Sequence, residues 1–164
     1  MKKIKLFINN EWINSSDGKT FISYNPSTGE ELAELALAGK EDVDKAVKAA
    51  RAAAPGWKNT DGDTRANLMM KALDIMKRRH KELAEWEAKD VGKPIFETEN
   101  IDLPYAFMAM EYFSNKARQI RGDQVPIKND AALCYETWEP YGVVGSIIPW
   151  NFPIHIATRT ICPA

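Results

Sequence analysis

What the sequence lacks narrows its class before any motif is considered. Two cysteines, Cys134 and Cys162, are too few and too unpatterned for a disulfide scaffold, so a reduced, cytoplasmic setting is expected. One-signed charge is missing as well. The 22 Lys and Arg residues meet 23 Asp and Glu, and a net charge of -1 offers no electrostatic footprint for nucleic acid or an anionic membrane. No apolar run approaches the length that spans a bilayer. The stretch behind Met1-Lys2-Lys3 is broken by Lys5 and ends at Asn9-Asn10, too short for a secretion-signal core. Metal-ligand spacing is absent, as is the Gly-x-Gly-x-x-Gly turn of dinucleotide-binding folds.

What is present is ordinary globular composition, 45% hydrophobic and 27% charged over 164 residues, enough for one domain with a core. Residues 6 to 37 carry short strand patterns separated by turn residues. Leu6-Phe7-Ile8 and Glu11-Trp12-Ile13 flank Asn9-Asn10, two residues that tolerate positive φ and suit a tight hairpin. Ser15-Ser16-Asp17-Gly18 and Asn25-Pro26-Ser27-Thr28-Gly29 break the chain again around the alternating Thr20 to Tyr24. Glu31 to Leu37 stays open between helix, from its composition, and strand, from its length.

From Glu41 the period becomes helical. Val43, Ala46, Val47, Ala50 and Ala54 share a face, and Pro55-Gly56 is expected to end the run. Asp63 is a candidate cap for a second helix with Leu68, Met69, Ala72, Leu73 and Met76 on its apolar face. A third, from about Lys81 to Val91, buries Leu83 and Trp86 and stops at Gly92. Asp102-Leu103-Pro104 opens a fourth, with Phe107, Met108, Tyr112 and Phe113 on its apolar side. The Met and aromatic residues here read as core packing, and Lys77-Arg78-Arg79-His80-Lys81 as a solvated helix face.

The last segment changes character. Gly142 to Ile148 is short and β-branched, as a buried parallel strand would be, and Pro149-Trp150-Asn151-Phe152-Pro153 leads into an apolar helix. In an open α/β sheet such a turn lies where ligands bind. The expectation is a strand, a sharp turn and a helix. A single unit of this kind cannot cover both faces of a sheet, so the sequence looks unfinished.

Residues 139 to 153, Glu-Pro-Tyr-Gly-Val-Val-Gly-Ser-Ile-Ile-Pro-Trp-Asn-Phe-Pro, resemble the signature segment of the NAD(P)-dependent aldehyde dehydrogenase superfamily. Further matches occur in order along the chain: Phe7 to Trp12, Asn25 to Glu30, Asp42 to Val47, Arg65, and Asp90-Val91-Gly92-Lys93-Pro94. The resemblance implies an α/β fold, truncated to N-terminal β-hairpin strands, a helical middle and the first strand-turn-helix of a Rossmann-like cofactor domain. On that basis residues 1–164 form a single, incomplete domain whose residues 142–164 begin the cofactor and active-site segment. It also implies oxidation of a small-molecule aldehyde to a carboxylic acid, NAD or NADP as cofactor, and a homo-oligomer when full length.

In the family mechanism a Cys thiolate attacks the aldehyde, donors hold the resulting oxyanion, hydride passes to the nicotinamide, and a Glu-activated water cleaves the thioester. The resemblance casts Asn151 as an oxyanion donor. Its side-chain amide donates without changing charge, and its fixed position at a turn costs little reorganisation. A helix cap is the plainer role for Asn151, and the two can coexist. Ile147, Ile148, Pro149 and Trp150 match positions that line the cofactor cleft, while Phe152, Ile156 and Arg159 match the substrate tunnel. Arg159, preceded by Thr158, admits a semialdehyde carboxylate as its partner, against a structural ion pair. Cys162 reads as a buried thiol, not the nucleophile, and His155 as a core histidine. The family's nucleophile, general base and ribose-binding Lys match nothing here. The chain alone is therefore expected to be inactive, the alternative being a non-catalytic product that is unstable or joins full-length subunits. A generic nucleotide-binding module would leave the early motifs unexplained.

Overall fold

The computed structural model describes residues 2–128 and 132–164. Five strands come first: β1 (Lys2–Ile4), β2 (Leu6–Ile8), β3 (Glu11–Ile13), β4 (Thr20–Tyr24) and β5 (Glu31–Ala36). Strands β2 and β3 form the expected hairpin. Asn9 and Asn10 turn it at φ 53 and 63, the left-handed pair that a two-residue primed turn requires. Opposite each other across it, Phe7 and Trp12 stack with centroids 4.9 Å apart. The ambiguous stretch after Glu30 is a strand. β5 lies at the centre of a three-stranded sheet, parallel to β1 and antiparallel to β4, and pairing on both edges outweighs its helical composition.

Helix α1 (Lys40–Lys58) continues past Pro55, where the sequence predicts an end. Pro55 forfeits one bond, to Arg51, but Arg51 is exposed and water can satisfy the freed carbonyl. At the other end, buried Asp42 accepts from the Ser16 amide (3.1 Å), the Ser16 hydroxyl (2.5 Å) and the Gly39 amide (3.0 Å), tying α1 to the strand region. The Ser16 hydroxyl holds the Asp42 carboxyl below its usual range, with the two amides helping.

Helix α2 (Gly62–Arg78) is capped by Asp61, which accepts from the Thr64 amide at 2.8 Å, and not by Asp63. Asp63 lies within the first turn of α2 and pairs with Arg118. The basic run is split. Arg79 turns the chain between α2 and α3 (His80–Val91) and binds Glu82, while the His80 ring nitrogen lies 2.7 Å from the Glu99 carbonyl. Gly92 closes α3 at φ 79.

The next helix begins earlier than Asp102. A short α4 (Ile95–Glu97) runs through a π-turn (Thr98–Asp102) into α5 (Leu103–Ala117). Pro104 explains the widened turn: its ring would clash with the Asn100 carbonyl in a regular helix, and an extra residue relieves the crowding. Ala66 and Leu73 of α2, Ala84 of α3, and Leu103, Ala106 and Met110 of α5 are buried, as is Ala33 in the sheet. At the ends of α2 and α5 a Cβ on Gly62 would collide with the Ala117 carbonyl, so the two backbones meet there. Met108, Tyr112 and Leu68, expected inside, are exposed.

A two-residue pairing, β6 (Gln124–Val125) with β7 (Cys134–Tyr135), follows. Residues 142–148 form no strand, contrary to the sequence expectation, because no described strand lies beside them to complete a ladder. The turn and the helix do form: α6 (Pro153–Ile161) packs against α5.

Candidate active site

The turn before α6 starts from local chemistry. Pro153 occupies the first helical position, where its missing N–H is no loss and its fixed φ suits the helix. Phe152, not Asn151, takes the N-cap position, at φ -145 and ψ 59, and no side chain caps the helix. The plainer role of Asn151 as cap is therefore absent. Its exposed side-chain amide is not consumed by α6 and stays available to a partner.

The residues matched to the cofactor cleft, Ile147, Ile148, Pro149 and Trp150, are all exposed, Ile147 and Trp150 almost completely. Of the residues matched to the tunnel, Phe152 and Ile156 are half-buried and Arg159 is exposed, with no ion pair among the described residues. These seven side chains are not drawn into one pocket. Only Phe152 is engaged by an ionic group: the Lys93 ammonium sits 3.5 Å above its ring centroid, within cation–π range.

That contact leads to a buried charged cluster that sequence reasoning missed. Lys93 also bonds Asp102 at 2.8 Å and Glu97 at 3.0 Å. Burial by itself pulls the Lys93 ammonium down, but the bonds to Asp102 and Glu97 outweigh it and hold the group above its usual value. Glu87 is buried in the same cluster. Desolvation, reinforced by the neighbouring Asp102 charge, pushes its carboxyl from the usual 4.5 up to about 7, against the pull of the Ile154 backbone amide and Lys93. Neither Glu87 oxygen completes a hydrogen bond among the described residues, nor does Oδ1 of Asp102. A signal existed: Glu87 falls at helical spacing between Ala84 and Val91, an acid on the apolar side of α3. Lys93 belongs to the Gly92-Lys93-Pro94 motif; Glu97 and Asp102 follow it closely in sequence, while Phe152 comes from a distant element.

His155 is half-buried, with its ring 5.8 Å from Tyr105 and 6.4 Å from Phe152, and its Nδ1 is buried without a described partner. Burial pushes the Cys162 thiol up, the wrong direction for a nucleophile at neutral pH. Among the described residues no cluster of His, Cys, Asp and Glu could hold a metal ion, and no helix is long and apolar enough to cross a membrane.

Comparison with known proteins bears on the same turn. The aldehyde dehydrogenase family model matches residues 12–164. Retinal dehydrogenase 2 of Gallus gallus is 40% identical over 167 residues, covering 100% of this chain and 32% of its own length. Among solved structures, an aldehyde dehydrogenase from Burkholderia cenocepacia, described as putative, superposes with a TM-score of 0.95 at 32% identity, over 100% of this chain and 33% of its own. PnpE in complex with nicotinamide adenine dinucleotide gives a TM-score of 0.93 at 32% identity, over 98% of this chain and 33% of its own. The chain spans about a third of the length of the relatives it matches. With the fold and the family model agreeing over nearly every residue, the chain belongs to the aldehyde dehydrogenase family.

Proposed function

We propose that this chain serves in the oxidation of an aldehyde to a carboxylic acid with NAD or NADP, and that Asn151 donates a hydrogen bond to the substrate oxyanion. The observation that carries the reading is the family match through residue 164 together with an Asn151 amide left exposed and uncapped at the head of α6. A neutral amide at a fixed turn can stabilise charge that develops only in the transition state. The solvent-facing side chains of Ile147, Ile148, Pro149 and Trp150 fit one apolar wall of a cofactor cleft, and the cofactor would supply a hydride acceptor there. Phe152, Ile156 and Arg159 would face the aldehyde. The unpaired, exposed guanidinium of Arg159 suits a carboxylate on a semialdehyde. A cytoplasmic homo-oligomer completes the reading.

A second reading, in which residues 1–164 by themselves do not turn over and act only by joining complete subunits, draws on the apolar side chains left exposed. Kinetics of the active protein that carries this chain test the first. Asn151→Ala should lower kcat by on the order of a hundredfold to a thousandfold with little change in aldehyde KM. A kcat within threefold of the parent would retire Asn151 as donor. Adding a carboxylate to the aldehyde should lower KM in the parent but not in Arg159→Met.

A further inference from the structure

The turn that presents Asn151 is gripped from two sides. On one side Phe152, the next residue, lies under the Lys93 ammonium at 3.5 Å. On the other His155, in the first turn of α6, sets its ring 5.8 Å from that of Tyr105 in α5. Lys93 is in turn locked by Asp102 and Glu97, so its position follows the π-turn that Pro104 imposes on the chain. No side chain caps the helix, and Asn151 is exposed.

We propose that Lys93, held by Asp102 and Glu97, is a positioning residue that clamps Phe152 and the first turn of α6 and thereby aims the Asn151 amide. The inference rests on the proposed role of Asn151 for its kinetic consequence, but the clamp itself is a statement about structure. An aromatic face under a cation and a tilted pair of rings are both directional contacts. They straddle Pro153, whose ring removes one backbone freedom between them. A donor displaced by about 1 Å loses much of its effect on a transition state, so loosening the clamp should act on turnover and not on binding.

Two readouts separate the clamp from the donor. Hydrogen exchange in the active protein reports the clamp: amides of residues 151–156 should exchange faster in Lys93→Met, and Lys93→Arg, which keeps a cation able to stack on Phe152, should restore protection. Unchanged exchange in Lys93→Met would overturn the proposal. Kinetics then report the consequence. Lys93→Met should lower kcat on the order of tenfold to a hundredfold with aldehyde and cofactor KM within about twofold. In the Asn151→Ala background the same change should cost nothing further, because the two act through one group. A full penalty from Lys93→Met in that background would show a structural role and overturn the inference. Faster exchange with an unaffected Asn151→Ala enzyme would instead leave the clamp standing and remove Asn151 as donor. Should Lys93→Met not fold, Asp102→Asn, equal in shape and lacking the charge that holds Lys93, carries the same cycle, with exchange at residues 151–156 expected to rise and an unchanged rate there counting against the clamp.

Discussion

Glu87 puts a carboxylate beside Asp102 with no hydrogen bond completed to either oxygen among the described residues, and burial shifts its ionisation to about pH 7. The consequence for stability has a definite sign. A carboxyl whose folded-state value is raised favours the folded chain while protonated, so its contribution is present below the unfolded value near 4.5 and lost as pH rises through about 7. Glu87→Gln should remove that dependence. Urea unfolding at a series of pH values between 4.5 and 7 measures it: the parent should weaken toward the upper end relative to the variant. Parallel curves would mean that Glu87 ionises normally. Asp42 has the opposite sign. Its carboxyl is held low by the Ser16 hydroxyl, so what it contributes is present above the unfolded value and lost in acid.

At the scale of elements, Gly92 is the joint between α3 and the strand region. It stands at φ 79, and a Cβ there would meet Pro26 Cγ at 2.7 Å. A left-handed conformation costs an ordinary residue about 1–2 kcal/mol before any collision is counted. Gly92→Ala should therefore lower stability by at least about 1–2 kcal/mol, read as a drop in the urea midpoint at unchanged slope. A midpoint equal to the parent's would place the glycine outside any structural need. Much of this level was legible in the sequence. The Asn9-Asn10 hairpin, the αL end of α3 at Gly92 and the helical middle follow from turn chemistry and period, which are local. The errors were also local in origin. Pro55 and Asp63 carry strong signals for an end and a cap, but exposed Arg51 lets the helix tolerate the first, and Asp61 stands two residues ahead to take the second.

As a whole molecule, the chain presents 11926 Å² of accessible surface, where a compact monomer of its mass would show roughly 8,200 Å². Tyr141 and Ile147 are almost fully solvent-exposed, and α1 buries no apolar residue completely. Residues 1–164 produced alone should bind a hydrophobic dye, self-associate and show no turnover. Size-exclusion chromatography with dye fluorescence checks this, and a dye-silent monomer would contradict it. Family membership, the hairpin and the Asn151 turn were set by the sequence itself, because short-range backbone preferences and side-chain order carry them. Three things needed the tertiary structure: β5 as a strand, the absence of a ladder at 142–148, and the cluster of Glu87, Asp102 and Lys93, the last seated over Phe152. Strand identity depends on partners across the sheet, and the charged cluster depends on how the Gly92 turn and the π-turn fold nearby residues onto one another and onto Phe152, so neither follows from local backbone preference.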